Sequence, residues 1–147
     1  MPSSYGKNNE RIFSYSSPGI GSVGSYQSSA RPYLSHSIDV PQAGTVVKVD
    51  LPNITRFVTI LNAGTSGVDE VTMRVGFSEN GINGTPNNNY FVLNNGESYS
   101  GDWKVRSIYF KVDTGATNNA TASIVAGLTG IDNDELLTNW SGSDGVG

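Results

Sequence analysis

From Val47 to Ala126 the chain is a succession of short apolar runs, each closed off by Gly and Asn, and no segment of helix length carries an amphipathic period. Alternation with a period of two marks a strand buried on one face. Val47, Val49 and Leu51 alternate with Val46, Lys48 and Asp50; Val71, Met73, Val75 and Phe77 alternate with Thr72, Arg74 and Gly76; Ile108, Phe110 and Val112 alternate with Tyr109 and Lys111. The run from Arg56 to Leu61 is almost continuously apolar and β-branched, which predicts a strand that lies centrally or is covered on both faces. Tyr90 to Leu93, Tyr99 to Val105 and Thr121 to Ala126 complete a set of about seven short strands. Asn62 to Gly67 and Asn94 to Glu97 read as turns, and Asn80 to Asn89, with repeated Asn-Gly steps and Pro86, reads as a surface loop. The pattern predicts an all-β fold: a single antiparallel β-sandwich, jelly-roll-like, or a barrel, with an extended N-terminal arm.

The two ends have a different texture. Met1 to Ser37 is rich in Ser, Gly and Tyr, and its apolar residues Phe13, Tyr15, Ile20, Val23, Tyr26, Tyr33 and Leu34 follow neither a helical nor a sustained strand period. A stretch so poor in aliphatics cannot offset its own ordering entropy, but its spaced aromatics can dock on a partner and order there. It reads as an extended arm over 1–37, followed by a β-sandwich domain over 38–130 and an acidic tail over 131–147.

Composition narrows the function classes. At 147 residues one domain is expected, and the absence of cysteine excludes disulfides, thiolate metal sites and a cysteine nucleophile. Net charge is -4 and no cluster of Lys and Arg follows a phosphate backbone, so nucleic acid is not an expected partner. Met1 to Arg11 lacks the apolar core of a secretory signal, and no run approaches the ~18 apolar residues of a membrane helix, so the expectation is synthesis in a cytoplasm and no membrane contact. Only 15% of residues are charged, against about 25% in ordinary domains, so the polar surface is built from Ser, Thr, Asn and Gly.

No motif supplies catalysis. The single histidine, His36, sits at the junction of arm and domain, where a serine triad is not expected. Asp69-Glu70, Glu97 with Asp102, and Asp132-Asn133-Asp134-Glu135 are the carboxylate clusters, and they read as solvated charge. The last also resembles part of a calcium loop but lacks the glycine turn and the spaced glutamate. Gly19, Gly21 and Gly24 have no phosphate-loop lysine. Asn53-Ile54-Thr55, Asn119-Ala120-Thr121 and Asn139-Trp140-Ser141 match glycosylation acceptors but follow from the Asn/Thr/Ser-rich composition. No enzymatic activity, cofactor or metal is expected. Trp103 and Trp140, with Tyr90, Tyr99 and Tyr109, could stack on sugar rings if they lay side by side. Trp103 and Tyr109 are the candidate exposed aromatics.

The stretches Ile54-Thr55-Arg56-Phe57-Val58-Thr59-Ile60, Val75-Gly76-Phe77, Asn89-Tyr90-Phe91-Val92-Leu93 and Trp103-Lys104-Val105-Arg106-Ser107-Ile108 resemble small virion proteins of tailed bacteriophages, head decoration (cement) proteins above all. The resemblance runs roughly from Ile38 to Leu128 and is one of texture and strand order, with no residue carried over individually. It implies a non-enzymatic structural subunit on the virion surface that stabilises the capsid by bridging neighbouring copies of the major capsid protein. A homo-oligomer, dimer or trimer, is expected on the ground that open sheet edges favour pairing. Arg11, Phe13, Tyr15, Tyr26, Arg31 and Tyr33 are the expected partner contacts of the arm, since aromatic and arginine side chains commonly anchor interfaces. The alternative is a carbohydrate-binding or fibre-tip receptor-binding module.

Overall fold

A computed structural model describes residues 30–42, 44–64, 71–84, 88–114 and 118–135. The described residues form eight strands, and their pairing is nested. β1 (Arg31–Val40) pairs with β8 (Ala120–Asp132), β2 (Val47–Asp50) with β7 (Ser107–Val112), β3 (Asn53–Asn62) with β6 (Ser98–Gly101), and β4 (Met73–Gly76) with β5 (Tyr90–Leu93), all antiparallel. Two further ladders, β3 with β8 and β4 with β7, join these pairs into sheets of order β1-β8-β3-β6 and β2-β7-β4-β5. Nested pairs divided between two sheets are the connectivity of a jelly roll. The sandwich alternative of the sequence reading is the observed one, and the sheets do not close into a barrel.

The core lies where the inward positions of the two sheets meet. Val40, Val58, Ile60, Ala122, Ile124 and Ala126 come from the first sheet, and Met73, Val75, Ile108, Phe110 and Val112 from the second. These are the positions that the period of two marks in β4 and β7. β3 is central, but only one of its faces is covered: Val58, Ile60 and Asn62 are buried, while Phe57, Thr59 and Leu61 are half-buried on the outside.

Three boundaries differ from the sequence reading, each for a local reason. β1 begins at Arg31, inside the stretch read as an arm over 1–37. Its alternation is broken by a bulge between Ser35 and Ile38, with Ser37 in the left-handed region at φ 59°, so no regular period survives in the sequence. β8 runs past Gly130, burying Ile131 and pairing Asp132 with Asn53, so the first residues of the supposed tail belong to the sandwich, and a 3-10 turn follows at Asn133–Glu135. β6 ends at Gly101 instead of continuing to Val105, because the Thr55 hydroxyl donates to the carbonyl of Trp103 at 2.6 Å and accepts from the amide of Val105 at 3.0 Å, taking those residues out of the ladder.

The loop expected over Asn80–Asn89 contains a short helix, α1 (Glu79–Asn83). Ser78 caps it by accepting the Gly81 amide at 3.0 Å, and Gly84 closes it in the left-handed region at φ 79°, a conformation that costs glycine nothing. The helix packs on β4 and β7 and buries Ile82 completely. It therefore covers part of the outer face of the β2-β7-β4-β5 sheet, whereas none of the described elements covers the outer face of β1-β8-β3-β6.

Candidate functional site

Register fixes what the open face of β1-β8-β3-β6 displays. One row across the sheet runs Leu34, Val125, Thr59, Ser100; a second runs Pro32, Gly127, Phe57; a third runs Ser123, Leu61, Ser98. None of these ten residues is charged. Leu34 is 71% exposed and Val125 42%, side by side in the β1–β8 ladder. The hydroxyls of Thr59 and Ser100 bond each other at 2.8 Å at the other end of the row. At Gly127 the surface is notched. A Cβ there would stand 2.4 Å from the Phe57 ring and 2.7 Å from the Ala30 methyl, so both groups lean over the strand only because the position is glycine.

The expected site residues are dispersed relative to this face. Arg11, Phe13, Tyr15 and Tyr26 lie outside the described residues, as do Asp69-Glu70, Trp140 and the glycines at 19, 21 and 24. Arg31 is in β1, exposed, and its guanidinium donates to the Asn53 side chain at 2.9 Å. Tyr33 points inward and packs against the core, so its ring is committed to the sandwich.

Trp103 and Tyr109 do not form a platform. Trp103 is 48% exposed beyond the end of β6, with its indole N–H donating to the Tyr99 hydroxyl at 3.1 Å, and Tyr99 in turn stacks at a tilt on Phe91, centroid to centroid 4.8 Å. Tyr109 is half-buried on the outer face of the other sheet, with the Lys48 ammonium 5.9 Å from its ring. A cleft of about 280 Å³ opens at the ends of β4 and β5, lined by Phe77, Tyr90 and Phe91 with Asn88 and Asn89. One side of the Tyr90 ring is taken by the Arg74 guanidinium, 4.4 Å from its centroid.

His36 hydrogen-bonds through Nδ1 to the Ser123 hydroxyl across the β1–β8 ladder, a base and a hydroxyl that the sequence does not place together. The nearest carboxylate on β1, Asp39, instead accepts from the Asn119 side chain at 3.0 Å. Ser123 lies on a strand whose backbone amides serve the sheet ladders, and among the described residues the pair has neither a third group to orient the imidazole nor a built cradle for an oxyanion. Among the described residues, no group of three His, Cys, Asp or Glu side chains is placed to hold a metal ion.

The sequence reading missed the uncharged face as a unit. Its signal was present in the outward positions of β8 and β3: Ser123, Val125 and Gly127 alternate with buried residues, as do Thr59 and Leu61, and none bears a charge. Neither the models of known protein families nor the sequences of curated proteins give a match to this chain.

Proposed function

We propose that this chain is a non-enzymatic virion structural subunit that decorates the outer surface of a phage capsid and stabilises it by bridging neighbouring capsid subunits. The observation that supports this most is the way residues 1–29 join the sandwich. They lead into the first residue of a ten-residue edge strand laddered to β8, which β3 flanks on its other side. A partner gripping the residues before Arg31 therefore pulls along a β ladder, the direction in which many hydrogen bonds share the load. Bridging two capsid subunits makes the second contact intramolecular, so modest contacts at each site suffice.

Arg11, Phe13 and Tyr15 are the anchors in this reading, and the major capsid protein is the partner. Association of the subunit with itself, as a dimer or trimer, belongs to the same proposal. The carbohydrate-binding alternative needs neighbouring exposed rings, and Trp103 lies beyond the end of β6 whereas Tyr109 is half-buried on β7 of the other sheet.

Co-sedimentation with phage shells stripped of their decoration tests the reading. The full chain is expected to pellet with shells, and a variant carrying Arg11→Ala, Phe13→Ala and Tyr15→Ala is expected to remain in the supernatant. Absence of the full chain from every shell pellet would remove the capsid reading.

A further inference from the structure

One end of the sandwich brings together the start of β1 and the segment that carries Trp103. Arg31 is in register with Leu128, and Leu128 with Thr55. The buried Thr55 hydroxyl donates to the Trp103 carbonyl at 2.6 Å, so this row crosses the sheet from Arg31 to Trp103, about 14 Å at the ordinary strand spacing. Trp103 is fixed twice over. Thr55 holds its carbonyl, and the Tyr99 hydroxyl accepts its indole N–H at 3.1 Å, while the indole lies over Gly101, where a Cβ would stand 2.6 Å from Cδ1. The ring is nonetheless 48% exposed. A large apolar side chain that is in solvent yet already ordered loses little freedom on being covered, which is the property of an interface anchor.

A hollow adjoins the anchor. Tyr99, which holds the indole, stacks on Phe91, and Phe91 lines the cleft of about 280 Å³ together with Phe77 and Tyr90. One ring's length therefore separates Trp103 from the wall of the cleft. These rings do not make a flat platform: the planes of Phe91 and Tyr99 are inclined at 53°, and the indole N–H is spent within the chain. A sugar face asks for a flat ring with polar groups around it. A projecting indole beside an aromatic hollow suits the uneven surface of a folded protein, where Trp and apolar pockets carry most of the contact energy. The dimensions agree, since one side of a standard protein interface covers about 800 Å², a patch roughly 30 Å across, which spans the row from Arg31 to Trp103.

We propose that this end of the sandwich is the surface that meets the capsid, with Trp103 buried in a capsid subunit and an apolar side chain of that subunit filling the cleft. The inference rests on the capsid reading and adds to it a contact made by the sandwich itself, separate from the anchors Arg11, Phe13 and Tyr15. The chain enters β1 at this same end. The turn at 94–97, whose Glu97 carbonyl accepts the amide of Asn62 at the far end of β3, then faces away from the shell.

The test is hydroxyl-radical footprinting of the unaltered full chain, free and pelleted with stripped phage shells, with oxidation read residue by residue by mass spectrometry. Trp103 is expected to be oxidised at least fivefold more slowly on the shell than in the free chain. Leu34, 71% exposed on the outer face of β1-β8-β3-β6, is expected to stay within twofold of its free rate. A chain that pellets with Trp103 as reactive as before would overturn this surface and leave the capsid reading standing. Equal protection of Trp103 and Leu34 would do the same, because no one end would then be the contact. Absence of the chain from every pellet would remove the capsid reading and this surface with it.

Discussion

The side-chain amide of Asn62, fully buried at the end of β3, donates to the carbonyl of Leu93 at 2.9 Å, at the end of β5 in the opposite sheet. The same amide donates to the carbonyl of Val71 at 2.7 Å, so one side chain ties together three segments where the apolar core runs out. Asn62→Ala strands two buried carbonyls, each costing ~1–3 kcal/mol. A stability loss of about 2–4 kcal/mol is expected, read as a lower urea midpoint with an unchanged slope. A loss under about 1 kcal/mol would mean that both carbonyls find water and that Asn62 is not the staple.

Stability is expected to fall in acid partly through Asp113. Its carboxylate accepts from Arg74 Nε at 2.8 Å, while the other guanidinium nitrogens donate to the Ile82 carbonyl and the Thr114 hydroxyl, each at 3.1 Å. The hydrogen bond from Arg74 holds the Asp113 carboxyl below its ordinary range, with the Thr114 backbone and the guanidinium charge adding to it against a smaller opposing effect of burial. A depressed folded-state value means the contribution is present above the ordinary carboxylate value of about 3.9 and is lost as pH falls through the folded value. Asp113→Asn is expected to cost about 1–2 kcal/mol near neutral pH, the lower part of the range because the carboxylate is partly exposed. Urea unfolding from pH 7 down to pH 2 should show wild type and variant converging at the acid end, and parallel curves would contradict the assignment.

Gly127→Ala is expected to destabilise through the notch on the open face. The added methyl would meet the Phe57 ring at 2.4 Å and the Ala30 methyl at 2.7 Å, and overpacking of this kind costs ~1–3 kcal/mol. Phe57→Ala clears the nearer contact. The double variant should therefore be more stable than the two single losses added together, a coupling measurable by a double-mutant cycle. Strict additivity would show that the ring moves aside freely.

The fold was legible where one face of a strand is buried and the other is wet. Met73 and Val75, and Ile108, Phe110 and Val112, alternate with residues that point outward, and the core is built from them. β1 was illegible because an edge strand with a bulge shows neither one continuous period nor a covered outer face, so Tyr33 and Leu34 read as scattered apolar residues of an arm. α1 was missed because five residues with Gly81 in the middle are too few to display a helical period; only its cap signals, Ser78 and Gly84, were present. Asn62 and Thr55 were hidden for a different reason. Their roles are set by partners 31 and 50 residues away, a relationship no local pattern encodes. The same holds for the uncharged face, whose rows combine β1, β8, β3 and β6 and exist only once the strand order is known.

Ser37 offers a test of how β1 is kept from pairing with other chains. It holds φ 59° inside the bulge, next to His36, whose ring bonds the Ser123 hydroxyl across the ladder. Asparagine tolerates the left-handed region, whereas a β-branched residue there is strained by ~1–3 kcal/mol. Ser37→Asn is therefore expected to match wild type within about 0.5 kcal/mol, and Ser37→Val to lose about 1–3 kcal/mol or else to escape the strain by straightening the strand. Straightening would remove the bulge that twists the edge away from incoming strands, leaving Pro32 as the main guard along a ten-residue edge. The two routes separate in one experiment: urea unfolding and sedimentation of Ser37→Val over a range of concentrations. A stability loss without self-association shows that the bulge persists under strain. Retained stability with concentration-dependent association shows that the bulge is what keeps this edge closed to other copies. A variant that neither loses stability nor associates would show that the bulge at Ser37 plays no part in either.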